Sequence, residues 1–326
     1  MSTPGRNLDE SFATRPGRRG LAAAVLVIVI LPAFIAAQER PAQDPEPPVT
    51  IRVESNLVLL RFHVIHKRGY AVDLTPEDFR IEEDGKQQEV SVWDSPGLST
   101  RKLPFELILL IDNSGTVEGL IDYSSLVRTL IAGLREGAFL SVYSFSHDLR
   151  CLARPTRDLA VLDRALKAAL GPPGFGTRLF AAVESVCETS AVSEAGGVQT
   201  VLIISDGLAS DVGRRKSAVV AAQKYGIRLY PILISQGAPA QSQVFGPVEQ
   251  FARLGEETGG RSFVLSGSGY AAMKAILDNV VVESRTEYVV GYRTAAGPGS
   301  GKHRARVRLL RADVGRVRGG EKEFVR

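Results

Sequence analysis

Phe105-Glu106-Leu107-Ile108-Leu109-Leu110-Ile111-Asp112-Asn113-Ser114-Gly115-Thr116 decides the fold of this 326-residue chain. Leu107 to Ile111 is an unbroken apolar run, stopped by Asp-Asn-Ser-Gly. A short run so bounded reads as a strand buried on both faces of a parallel sheet. Asp112, Ser114 and Thr116 leave its end, where an open α/β sheet places its ligands. One carboxylate with two hydroxyls is a hard, oxygen-only donor set, suited to Mg²⁺ rather than Zn²⁺ or copper.

Outward from this strand the chain alternates. Tyr123, Val127, Leu130, Ile131 and Leu134 recur at helical spacing, and 139–145 reads as a strand. Helices are predicted over 159–170, stopped by Gly171-Pro172-Pro173, and over 178–190. Strand 201–204, helix 218–225, strand 227–234, helix 248–258, strand 262–265 and helix 270–282 follow. Strands alternating with helices predict an α/β domain over 104–284, with a doubly wound, mostly parallel sheet.

Two later stretches complete a pattern. Gly176-Thr177-Arg178-Leu179-Phe180 follows the second of the intervening segments, and Val201-Leu202-Ile203-Ile204-Ser205-Asp206-Gly207 is again a buried strand ending in an acid. With Asp112-x-Ser114-x-Thr116 they resemble the three loops of the metal-ion-dependent adhesion site of von Willebrand factor type A domains. The resemblance covers roughly 104–283, and Thr116 replaces the family's usual serine with another hydroxyl. It implies a Mg²⁺ site, with Mn²⁺ or Ca²⁺ as substitutes. Ser114 and Thr116 ligate directly in that pattern, and Thr177 does so in some states. Asp112 and Asp206 act through waters or hydroxyls, and the carboxylate of a protein partner fills the open position. Asp211, near Asp206, reads as a helix N-terminal acid.

The ends of the chain differ from its middle. Arg15, Arg18 and Arg19 precede the apolar run Leu21 to Ala37, which closes on small residues before Gln38-Glu39-Arg40. Residues 1–40 therefore read as an export signal or membrane anchor, placing the rest outside the cytoplasm: periplasmic, envelope-bound or secreted. Residues 41–50, with Pro41, Pro45, Pro47 and Pro48, form a stiff linker. Val58 to His66 alternates in part and reads as a half-buried strand; Asp84-Gly85 between two short runs marks a hairpin. At the other end, 304–309 alternates arginine with Ala305, Val307 and Leu309. Neither 51–96 nor 285–326 has enough strands to bury a face alone, so the two are expected to pair into a small all-β domain, with the α/β domain inserted between them. The layout resembles a bacterial, exported subgroup of von Willebrand A-related proteins with a Phe-x-x-x-Glu-Asp-Gly-Lys-x-Gln segment, here beginning at Phe79.

Composition narrows the function classes. A hydrophobic fraction of 44% with 23% charge is that of an ordinary globular protein. Of the basic residues, nine lie in 301–326 and five in 1–40, while 41–300 holds 26 against 30 acids. With no aromatic-interleaved basic surface, nucleic-acid binding is not expected. Cys151 and Cys187 form no Cys-x-x-Cys, and read as two unpaired thiols or one disulfide. A phosphatase of the haloacid dehalogenase kind also ends a buried strand in Asp-x-Asp-Gly-Thr, but Ser114 stands where its acid–base carboxylate belongs. Ser146-His147-Asp148 lacks a nucleophile elbow, and neighbours on a strand face opposite ways. The expected protein is thus a non-enzymatic, exported adhesion or protein-interaction module. The alternatives are a metal-dependent phosphatase of the haloacid dehalogenase type and a structural domain with a vestigial metal site.

Overall fold

Residues 56–97, 103–114, 130, 132–191, 197–235, 246–266 and 270–326 are described by the computed structural model. The segment 21–37, the linker, Thr116 and most of the helix read around 123–134 lie outside the described residues. No helix among those described is long and apolar enough to cross a membrane.

Strands β1 (Leu57–His66), β2 (Gly69–Ala71), β3 (Phe79–Glu83), β4 (Lys86–Gln88) and β5 (Val92–Asp94) precede the deciding stretch, which forms β6 (Phe105–Asp112). There follow β7 (Phe139–Phe145), β8 (Leu149–Thr156), α1 (Leu159–Ala169), α2 (Leu179–Ser190) and β9 (Val198–Ser205). Then come α3 (Arg215–Tyr225), β10 (Arg228–Ser235), α4 (Pro247–Glu257), β11 (Phe263–Ser266) and α5 (Tyr270–Thr286). β12 (Tyr288–Arg293), β13 (Lys302–Leu309), β14 (Arg316–Gly319) and β15 (Glu321–Val325) are last.

The central sheet runs β11-β10-β9-β6-β7-β8. Its strands are parallel except β8, which turns back antiparallel on β7 with irregular register, so the sheet is mixed. Every residue of β6 is buried. Leu107, Leu109 and Ile111 face a cluster with Leu162 and Leu166 of α1 and Leu277 of α5. Ile108 and Leu110 face the opposite cluster, with Val183 of α2, Ala222 of α3 and Phe251 of α4. That is why the run is apolar throughout: a strand covered by helices on both faces has no solvent side.

Strands from the two ends of the described chain pair with one another. One antiparallel sheet runs β14-β1-β12-β5, with β2 on β1; another runs β15-β13-β3-β4. Leu60 lies opposite Val290, and Ile81 opposite Val307. The two sheets share a core of Phe62, Phe79, Ile81, Tyr288, Tyr292 and Val307, in which Phe62 stacks on Tyr288 at 5.3 Å. Ala305 and Val307 point in, while Arg304 and Arg308 are exposed. The β3–β4 turn has Asp84 at φ 51° and Gly85 at φ 81°, the doubly left-handed turn that an Asp-Gly pair accommodates.

The sheets are not insulated from the α/β part: Glu54–Arg326 forms one compact unit. Val289 belongs to the central-sheet core, and Leu59 packs against it. The half-buried reading of β1 is therefore corrected, since Phe62, His63 and Val64 are all buried. Arg61 reaches across to the starts of the parallel strands. It forms a two-pronged pair with Glu287 at 3.0 and 3.1 Å and donates to the carbonyls of Gln199 and Gly226 and to Thr200 Oγ1. Arg228 meets the same carboxylate at 2.6 Å. Burial alone would raise the Glu287 pKa; Arg228 and Arg61 overcome it and hold the carboxyl at about 2.

His63, fully buried beside this group, bonds the Glu283 carbonyl through Nε2 at 3.0 Å. Burial, then the Arg228 charge, depresses its pKa from 6.5 to about 4. The unfolded chain thus takes up this proton first, so stability present above pH 6.5 is lost as pH falls from 6.5 to 4. That loss amounts to about 3 kcal/mol at 1.36 kcal/mol per pKa unit. Glu287 adds its own loss between pH 4.5 and 2. Asp112, whose carboxyl pKa burial raises to about 6, gains stability over much of the same window, so the measure is a difference. Urea titrations should show the stability of the wild type relative to His63→Phe falling by about 3 kcal/mol between pH 6.5 and 4. A stability difference between the two proteins that is the same at pH 6.5 and 4.5 would contradict it.

Candidate metal-ion site

In the central sheet, β6 leads on to β7 on one side, while β9 lies on the other. The order reverses between β6 and β9, and the crevice beyond their C-terminal ends is where an open α/β sheet holds ligands. Asp112 ends β6 and Ser205 ends β9. Asp112 is buried; its Oδ1 accepts from the Ser114 amide at 3.0 Å and its Oδ2 from Ser205 Oγ at 2.6 Å. Ser205 Oγ in turn accepts from the Gly207 amide at 3.0 Å. Asp206, half-buried, accepts from the Leu208 amide at 2.9 Å.

The segment carrying Thr177 is pinned to the same edge. Gly174 N donates to the Asn113 carbonyl at 2.8 Å, and Arg178 N to the Ser146 carbonyl at 2.8 Å. A Cβ at Gly174 would meet Ser146 Oγ at 2.1 Å, so only glycine allows this approach. The carbonyl of Thr177 accepts from both the amide and the hydroxyl of Ser210, at 2.8 and 3.0 Å, which ties the second loop to the third. The structure thus brings the Asp112–Ser114, Thr177 and Asp206 segments to one edge; Thr116 is outside the described residues.

The donor chemistry fits a divalent cation. Burial, joined by the nearby Asp206 charge, pushes the Asp112 pKa up to about 6 against the pull of its hydrogen bonds from Ser114 and Ser205. The Ser114 and Ser205 hydroxyls bond the Asp112 carboxylate and the Asp206 charge lies close by, and no ion pair to Asp112 or Asp206 occurs among the described residues. Concentrated negative charge with hard oxygens suits Mg²⁺, which keeps several waters and takes few protein ligands.

Some residues do work the sequence did not assign. Ser205 orients Asp112; its only signal was its place before an acid at a strand end. Asp211 does sit at a helix start, before the short turn Val212–Arg214, but its side chain caps another helix. Its carboxylate accepts from the amides of Phe180 at 3.2 Å and Ala181 at 2.7 Å, capping α2 beside Thr177. Phe175 is 94% exposed and Leu208 57% exposed, one on each of the two loops around the site. His147 and Asp148 do touch, at 3.1 Å, because they sit in the β7–β8 turn rather than on a strand. Both are exposed there. Cys151 is exposed and Cys187 buried, each a free thiol.

Residues 106–253 match the family model of the von Willebrand factor type A domain. Similar solved structures include conserved hypothetical protein BatB from Bacteroides thetaiotaomicron, at 16% identity over 56% of this chain and 99% of that one, with a TM-score of 0.44. The vWF domain of the type V pili tip protein Mfa5 from Porphyromonas gingivalis is 13% identical over 56% of this chain and 95% of its own, with a TM-score of 0.43. A von Willebrand factor type A protein from Catenulispora acidiphila is 11% identical over 83% of this chain and 74% of its own, with a TM-score of 0.45. No match was found among curated proteins.

Proposed function

Starting from a von Willebrand factor type A domain at residues 106–253, we propose that the chain is an exported, non-enzymatic module that captures a partner protein through a bound Mg²⁺. The observation that carries this reading is the Asp112–Ser114 strand end beside Ser205-Asp206 at the switch point of the sheet. Ser114, Thr116 and Thr177 would hold the ion. Asp112 and Asp206 would hold it from farther out, and a carboxylate of the partner would complete the shell. The ion's chemistry here is that of a positive anchor for that carboxylate. Exposed Phe175 and Leu208 on the flanking loops offer apolar area for the same partner, as protein-binding rims do. The charge-bearing apolar segment 15–37 supplies the export reading, as signal or retained anchor.

Calorimetric titration of Mg²⁺ into the full chain, with and without Asp206→Ala, tests the ion. Loss of one carboxylate is expected to weaken binding on the order of 10–100-fold. Equal affinity in both proteins removes Asp206 from the site. Capture from an envelope extract should then need Mg²⁺, fail with chelator, and fall for Phe175→Ala while its Mg²⁺ affinity is unchanged. Capture that survives chelation would sever the partner from the metal.

A further inference from the structure

A cleft of about 560 Å³ opens at the starts of the parallel strands, at the opposite end from Asp112. Its walls are the end of α3 with the first residue of β10, the end of α4, and parts of β1, β14 and β15. The volume is that of a small-molecule pocket, and the metal site makes no use of it.

The unusual residue comes from β15. Glu321 and Glu323 are exposed there, while Lys322 and Phe324 turn to the inner side, Lys322 opposite fully buried Ala305. Alternation along a strand reserves inner positions for apolar groups, and Phe324 obeys, packing on the second core. Lys322 instead carries an ammonium into the cleft wall. A Cβ at Gly226 would lie 3.7 Å from Lys322 Nζ, so the amine reaches the end of α3. That ammonium has no hydrogen bond and no ion pair among the described residues. Burial, then the charge of Arg326, lowers its pKa. Of the acids on the rim, Glu257 is taken by Arg215, and Glu321 by Arg304 at 2.7 Å. The floor is positive as well: Arg61 and Arg228 both line the cleft and share one carboxylate, Glu287. Arg228 meets glycine on two sides, since a Cβ at Gly259 would lie 3.7 Å from its Nε and one at Gly319 3.1 Å from its Nη2.

We propose that this cleft binds the oxyanion head of a small organic molecule, a carboxylate or a phosphate, with the Lys322 ammonium as its anchor. An inward ammonium without a counter-charge is costly in a dry wall, and an anion beside it removes that cost. The Arg61–Arg228 pair, two cations on one carboxylate, adds a positive field from the floor. The organic part of the ligand has Leu59 and Val317 to lie against. Glycine at 226 keeps any side chain from standing over the amine.

The test uses the full chain, freed of divalent ions and of chelator so that no metal near Asp112 competes for the anion. Succinate and glycerol 3-phosphate are titrated separately, with glycerol as the uncharged control, and followed by NMR. At least one of the two acids should move the amide resonances of Gly226 and Lys322 and raise the Lys322 pKa, read from its ¹³Cε shift. Glycerol should do neither, and the acid that binds more tightly names the head. Lys322→Met keeps the stem and loses the charge. It should leave the amide resonances of the central sheet in place and weaken binding on the order of 10–100-fold, the range of one charge-assisted hydrogen bond. If both acids at millimolar concentration leave the wild-type Gly226 and Lys322 amides unmoved, or if Lys322→Met binds as tightly as the wild type, the proposal is overturned. Lys322 then serves only as a cation complementing the C-terminal end of α3.

Discussion

Replacement of Glu287 by alanine is expected to lower unfolding stability by about 3–5 kcal/mol, the loss typical of removing one partner from a buried ion pair. Here one carboxylate serves two cations. Its side chain is 2% exposed, Arg61 and Arg228 are nearly as buried, and both guanidiniums close on Glu287 Oε1. Without it, two positive charges face each other, Arg61 held by the Gln199 and Gly226 carbonyls and the Thr200 hydroxyl and Arg228 beside His63 Nδ1 at 3.4 Å, with no other carboxylate bonded to either among the described residues. The cost is that of stranded charge rather than of a lost contact, and two variants separate these. Glu287→Gln keeps shape and an acceptor but removes the negative charge, so it should fall nearly as far as alanine. A triple change of Glu287, Arg61 and Arg228 to methionine removes all three charges and should recover much of the loss, because buried ionic clusters are often replaceable by apolar groups. Urea denaturation midpoints at constant slope provide the measure. A Glu287→Ala loss below 1 kcal/mol would mean that water reaches the cluster.

This cluster is also where local reading of the sequence stops. Arg61 and His63 alternate with Phe62 and Val64, and alternation ordinarily separates a dry face from a wet one. The alternation is real, yet both faces are dry: one packs on Phe79 and Tyr288, the other on the starts of the parallel strands. The partners that make the polar face tolerable lie 138–226 residues away, and nothing near Arg61 signals them. By contrast, β6 was legible because its environment is uniform. A strand covered by helices on both sides must be apolar at every position, and it is. The segments holding Asp112, Thr177 and Asp206, which the structure brings to one edge of the sheet, each stand at a strand or helix boundary, and such boundaries are easier to place from sequence. Ser205 and Asp211 were harder, since a serine and an aspartate in a loop have many roles and only the fold shows which amide or carboxylate they meet. Strand β8 was missed because it is an edge. Its burial follows no period, its register against β7 shifts, and Arg150 and Arg154 give it a wet side.

Deleting 286–326 should abolish the folded state of the N-terminal strands altogether. β12 lies between β1 and β5, and β13 lies beside β3, so the deletion removes an interior strand from each antiparallel sheet. Tyr288, Val290, Tyr292, Ala305 and Val307 leave the shared core, and with them the ring stacked on Phe62. At about 1.5–3 kcal/mol for each large buried side chain, the loss is on the order of 10 kcal/mol. That is comparable to the whole stability of a typical domain. The remaining β1 would expose Val58, Leu60, Phe62 and Val64 along an unpaired edge, which is a template for association between chains. The deletion also removes Glu287, so Arg61 loses its carboxylate and cannot anchor β1 on the parallel strands. The expected result is aggregation at micromolar concentration. In whatever soluble fraction remains, the amides of 57–94 should exchange hydrogen at unfolded rates while those of β6 and β9 stay protected. Protection of 57–94 equal to that in the full chain would show that the N-terminal strands hold without the C-terminal ones, and that the pairing of the two ends contributes nothing to their folding.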